Sequence, residues 1–235
     1  MSFWKAKRFW KAAQAEACEG GFTVRLDGRP VKTPAKVPLV VPTLEMAQAI
    51  AAEWDAQQGE VKPDTMPVTR AANSAIDKIV PQRAAVVEIV AAYGGSDLLC
   101  YRAVGPEALI ARQAAGWDPL LDWAAEALGA RLRVTQGVMH VAQDAAALAR
   151  LTARVEAFTP FRLAAFHDLV AVSGSLVLAL AVTEGRLAPQ EAWDLSRIDE
   201  TWQVEQWGED EEAAASEAAR HAGFMDAARF YALCG

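Results

Sequence analysis

The chain has 235 residues, 53% of them hydrophobic and 23% charged, with a formal net charge of −7. That balance belongs to a folded globular protein and excludes a disordered one. The acid excess argues against a nucleic-acid partner, because a chain that binds phosphate backbones shows a basic face.

The one basic stretch, Lys5, Lys7, Arg8 and Lys11, reads as a solvated N-terminal segment. Met1-Ser2-Phe3-Trp4-Lys5 has no apolar run after its charge, so neither a secretory signal nor a transit segment is expected, and the cytoplasm is the expected location. Cys18, Cys100 and Cys234 are odd in number and lack C-x-x-C spacing. They imply no disulfide framework and no zinc site, and they fit a reducing compartment.

Alanine dominates the apolar set, so helices should outnumber strands. Residues 22–41 read as strands: Phe22 to Leu26 alternates, Asp27-Gly28 marks a hairpin, and Val31 and Leu39 to Val41 continue the sheet. Thr43 caps a helix that runs to Gln57, with Ala47, Ile50, Ala51 and Trp54 as its apolar stripe, so Trp54 is expected in the core. Helices follow over 67–80 and 81–93, the second ended by Gly94-Gly95. Ser96 to Ala103 reads as extended, two helices start from Pro106, and Leu132 to Val141 alternates like a strand.

From Gln143 every strong pattern is helical. A long buried helix is expected over 161–182; its clean apolar part is shorter than the ~20 residues a membrane span needs. Helices over 189–207, 209–221 and 224–233 complete the chain. Strand signals occupy the first part alone, which predicts an α+β protein. Its N-terminal domain, residues 1–142, combines an antiparallel sheet with helices, and its C-terminal domain, residues 143–235, is all-helical.

Chemical motifs are conspicuous by absence. There is no G-x-x-x-x-G-K-[ST] loop, no G-x-G-x-x-G and no G-x-S-x-G elbow. Ser173-Gly174-Ser175 reads as small residues for close helix packing. His140, His167 and His221 lack paired ligand spacing, and His167-Asp168 reads as a structural pair. Asp118, Asp122 and Glu126 share a helix face, and Glu209 to Glu212 form an acidic first turn; both read as solvated acids. Eight tryptophans are the less ordinary feature, since large aromatics with polar tips are enriched at protein interfaces.

Several segments in fixed order carry a resemblance. They are Arg8-Phe9-Trp10-Lys11, Leu26-Asp27-Gly28-Arg29-Pro30-Val31-Lys32-Thr33-Pro34, Ala52-Glu53-Trp54-Asp55-Ala56-Gln57 and Thr65-Met66-Pro67-Val68-Thr69-Arg70. Ser96-Asp97-Leu98-Leu99-Cys100-Tyr101-Arg102, Gln113-Ala114-Ala115-Gly116-Trp117-Asp118-Pro119 and Ser196-Arg197-Ile198-Asp199-Glu200-Thr201-Trp202-Gln203 follow. From about residue 8 to the end, this order resembles the F1-ATPase assembly chaperone family of mitochondria and alpha-proteobacteria, which handles the alpha subunit of ATP synthase. The missing transit segment makes the chain look like a bacterial member.

The resemblance implies a chaperone that holds the free alpha subunit of F1-ATPase soluble until the catalytic head assembles. It implies no enzymatic activity and no cofactor; the residues themselves offer no metal site and no membrane span, and a monomer is expected. A free subunit exposes apolar surface that aggregates, and covering it reversibly takes a shaped surface and no active site. Two rivals remain: a small carboxylate-dependent enzyme using acids such as Asp199 and Glu200, and a permanent structural subunit of a complex.

The expected contact surface lies on the helix over 189–207. At ~100° per residue, Ala192, Leu195, Ile198 and Trp202 cluster on one side. Glu200 falls on a second face beside Trp193, Val204 and Trp207, with Asp199 adjacent. Either that face is exposed and Glu200 meets the client, or it is buried and Glu200 is ion-paired within the fold. The first is the expectation.

Overall fold

The computed structural model describes residues 7–235. Lys5 of the basic stretch and the Met1 to Lys5 segment lie outside them. The described residues divide into two compact units, one formed by residues 7–83, 159–165 and 229–235, the other by residues 84–158 and 166–228. The expected boundary at residue 142 is therefore not where the contacts divide. The apolar segments on either side of it, including buried Trp117, Leu120, Leu151 and Val155, belong to one unit, and the chain's last residues return to the other.

The first unit begins with an antiparallel sheet. Strand β1 (Ala13–Cys18) pairs with β2 (Gly21–Leu26), and β2 pairs with β3 (Arg29–Pro30) across the Asp27-Gly28 turn. Strand β1 has no counterpart in the sequence reading, because Ala-Gln-Ala-Glu-Ala-Cys carries alanine where strands usually carry branched or aromatic side chains. Val41 adds a bridge to Phe22, as its apolar run predicts.

Helix α1 (Leu44–Asp55) lies on this sheet with Met46, Ala47 and Ile50 fully buried. Thr43 caps it, its hydroxyl accepting from Met46 N at 3.2 Å. Helix α2 (Pro67–Ser74) is capped from outside: the Glu53 carboxylate accepts from Val68 N at 2.7 Å, Thr69 N at 2.8 Å and the Thr69 hydroxyl at 2.6 Å. Trp54 is half-buried, edge-on to Trp10 at 5.1 Å, and so less enclosed than its stripe position predicts.

Arg8 is no free solvated charge. It donates to the carbonyls of Trp10, Lys11, Asp55 and Gln57.

Most of helix α3 (Arg83–Ala92) opens the second unit. The segment expected to be extended contains a 3-10 turn, Leu98–Cys100, and a two-residue strand β4 (Tyr101–Arg102). Helix α4 (Glu107–Ala127) is a single helix that passes through Pro119, where two were expected. The expected strand over 132–141 shrinks to β5 (Thr135–Gln136), parallel to β4; Val134, Val138 and Met139 are exposed and have no layer to bury them.

Helices α5 (Ala145–Glu156), α6 (Pro160–Ser173) and α7 (Leu176–Thr183) follow. The expected single helix over 161–182 is thus two, interrupted at Gly174, whose φ is +74°. Ser173 and Ser175 are buried and act through hydrogen bonds: Ser173 donates to the Leu169 carbonyl at 2.7 Å, and Ser175 caps α7, accepting from Leu178 N at 3.0 Å.

The expected helix over 189–207 is also two: α8 (Pro189–Ser196) and α9 (Ile198–Trp207), broken at Arg197. The last two expected helices are one, α10 (Glu211–Ala232), since Gly223 does not interrupt it. No helix among the described residues is long and apolar enough to cross a membrane. Among those residues, no group of three or more His, Cys, Asp or Glu side chains is placed to hold a metal ion. Asp118 pairs with Arg102 at 2.7 Å.

Candidate protein-binding surface

Helix α9 has two faces with opposite fates. The first carries Ile198, Asp199, Trp202 and Glu205, spaced i, i+1, i+4 and i+7, so they lie on one side. Helix α4 presents Arg112, Gln113, Gly116 and Trp117 to it, again on one side of a helix.

The interactions between these two faces are specific. Arg112 grips Glu205 with both terminal nitrogens, at 2.9 and 2.8 Å, and its guanidinium lies 4.9 Å from the Trp202 ring centre. Gln113, almost fully buried, donates to Asp199 at 2.6 Å while its carbonyl accepts from Ala103 N at 2.8 Å. Trp117 donates to the Leu195 carbonyl at 2.8 Å, which lies at the end of α8. A Cβ on Gly116 would come within 2.8 Å of Leu195 and 2.9 Å of Ile198, so this position is kept bare for the approach of the α8–α9 junction. The Glu205 carboxyl is held below its ordinary range, chiefly by the hydrogen bond from Arg112.

The opposite face of α9 carries Glu200, Val204 and Trp207 at i, i+4 and i+7. Val204 is 46% exposed and Trp207 79%. These side chains, with the start of α10, line an open groove of about 480 Å³. Asp210, Ala213, Ala214 and Glu217 form its other wall, one face of α10. Asp210 caps that helix, accepting from Ala213 N at 2.8 Å. No residue of α10 is buried before Phe224, and its first two turns are exposed apart from half-buried Ala214 and Glu217; packing begins where Arg220 donates to the Val172 carbonyl at 3.0 Å and His221 meets the Trp193 ring.

Arg197, at the helix break, ties the two walls. It is 6% exposed, donates to Glu200 at 2.9 Å and lies 4.0 Å from Glu217. Burial draws its guanidinium below the ordinary value, and the Glu200 charge opposes that shift.

Sequence reasoning placed Glu200, Val204 and Trp207 together, and they share this surface. Trp193 does not. It is 6% exposed, with His221 and Phe224 at ring distances of 5.2 and 5.9 Å and Arg197 over its face at 5.3 Å. The wheel drawn across 189–207 fails there because the chain leaves helical geometry at Arg197, with φ −115° and ψ 16°. Trp193 therefore turns toward α10. Asp199 is half-buried and engaged by Gln113, so it belongs to the packed face.

Glu200 is ion-paired within the fold to Arg197, yet it is not buried: its side chain is 49% exposed. The sequence reading missed Glu205 and Glu217. The i, i+3, i+4, i+7 set of Asp210, Ala213, Ala214 and Glu217 was the available signal.

An exposed aromatic on one helix, a largely exposed helix start opposite and a groove between them are features that protein-binding surfaces show. Comparison with known proteins gives the family. Residues 7–125 match the model of the ATP12 chaperone protein family. The crystal structure of Atp12 from Paracoccus denitrificans is 52% identical and superposes with a TM-score of 0.96, covering 99% of this chain and 100% of that one. The Atu1473 protein from Agrobacterium tumefaciens is 47% identical with a TM-score of 0.94, covering 97% of this chain and 86% of that one. The mitochondrial protein atp12 of Schizosaccharomyces pombe is 26% identical, covering 88% of this chain and 75% of its own length. The chain belongs to the ATP12 chaperone family, as the sequence resemblance implied.

Proposed function

We propose that this chain is an assembly chaperone of F-type ATP synthase that binds the free alpha subunit of F1 and releases it into the catalytic head. Membership of the ATP12 chaperone family supports the chaperone role. The observation that carries the binding surface is Trp207, 79% exposed on the same face as Val204 and Glu200. Aromatic side chains left in water on a rigid helix are the anchors protein interfaces use. Helix α4 fixes α9 from behind, so this face needs no rearrangement to be presented.

The action is binding alone, by a monomer working in the cytoplasm, with no catalytic step and no cofactor. The test is co-expression with the alpha subunit from the same organism, followed by solubility and pull-down assays. The alpha subunit should be soluble and captured, and the beta subunit largely left behind. Equal capture of both subunits, or no capture of alpha, removes the proposal.

A further inference from the structure

The groove between α9 and the start of α10 has a rim of one sign. Five of its twelve lining residues are acidic, Glu200, Glu205, Glu209, Asp210 and Glu217, and none is Lys or Arg. Its floor and lip are apolar: Val204, Ala213 and Ala214, with Trp207 at the end. The guanidiniums that meet this rim, Arg112 and Arg197, belong to the packing of the unit and do not line the groove.

We infer that the occupant is a client segment that presents a large apolar side chain flanked by lysine or arginine. Three features on the surface select that chemistry. The apolar floor takes the large side chain. The carboxylates attract flanking cations and repel an acidic segment of the same shape. The open face of Trp207 accepts a cation as readily as an aliphatic stem, so a basic residue gains on both counts. This inference rests on the proposed client surface and adds the chemistry of what enters it.

The probes are two fluorescein-labelled synthetic peptides with the same spacing of leucines, one bearing lysines between them and the other glutamates. Each is titrated against the full chain by fluorescence anisotropy. The lysine peptide should bind about tenfold or more tighter than the glutamate peptide at low salt. Its affinity should fall severalfold between about 0.05 and about 0.5 M NaCl. Neutralising the rim with Glu200→Gln and Glu209→Gln together should weaken it about tenfold. Equal binding of the two peptides, or binding of neither, overturns the inference. So does a homodimer that Trp207→Ala dissociates, because the groove would then be filled by a second copy of this chain. Capture of whole alpha subunit separates the two claims. Capture lost in Trp207→Ala but indifferent to salt and to the paired neutralisation overturns the charge inference and leaves the surface standing. Capture indifferent to Trp207→Ala overturns the surface itself.

Discussion

Two helices expected to be continuous are broken, and their breaks have opposite characters. Between α6 and α7, Gly174 turns the chain and Asp97 closes the gap. Its carboxylate, fully buried, accepts from the Ser175 hydroxyl at 2.8 Å and from Leu99 N and Val177 N at 3.0 Å each. Leu98 N then donates to the Gly174 carbonyl. Between α8 and α9, Arg197 plays the matching part with Glu200, but Glu200 is 49% exposed and two apolar side chains beyond it meet solvent. A break whose polar groups are all met inside the unit serves stability. A break that re-aims a helix and leaves valine and tryptophan in water adds no such closure; under the proposed function it presents them to a partner.

The first way to test that contrast is Asp97→Ala. It strands the Ser175 hydroxyl and two backbone donors in the interior, and each lost buried partner costs about 1–3 kcal/mol. Calorimetry should show a loss of about 3 kcal/mol or more, among the largest for any single change. A melting temperature within a degree or so of wild type would show that water reaches this site.

Glu200→Lys is the next in size. It removes one partner of a buried arginine and sets a like charge beside it, although Glu217 remains within 4.0 Å. Because Glu200 is half-exposed, solvent screens the change, and about 1–2 kcal/mol is expected. The variant should fold and lose the alpha subunit in pull-down. An early melt comparable to Asp97→Ala would make the second break as structural as the first.

His167, on the helix that leads into the closed break, offers a smaller, pH-dependent effect. Its imidazole is raised above the ordinary value near 6.5, chiefly by the hydrogen bond from Nδ1 to Asp168 at 2.9 Å. The folded protein therefore favours the protonated ring. That contribution is complete below the unfolded value and is lost as pH rises through the folded one. The side chain is 42% exposed, so the effect is about 0.5 kcal/mol or less. His167→Asn should flatten the stability profile across that window in thermal melts; an unchanged profile would place the titration elsewhere.

The sequence carried the fold class well because the strand signals and the helix signals occupy different stretches. Strand β1 was illegible, since an alanine-rich strand is recognised only through its pairing with β2. The breaks were illegible for another reason. Periodicity reports a face and not continuity, and neither Gly174 within an apolar run nor Arg197 within an amphipathic one announces that the helix stops. That cost the placement of Trp193. Glu200, Val204 and Trp207 do share a face, because all three lie on the same side of the break.

The most direct measurement is the alpha-subunit pull-down with Trp207→Ala, paired with its melting curve. Trp207 is 79% exposed, so its removal should change stability by less than about 0.5 kcal/mol. The account predicts an unchanged melt and a loss of captured alpha subunit. A variant that melts normally and still holds the alpha subunit as well as wild type would contradict it.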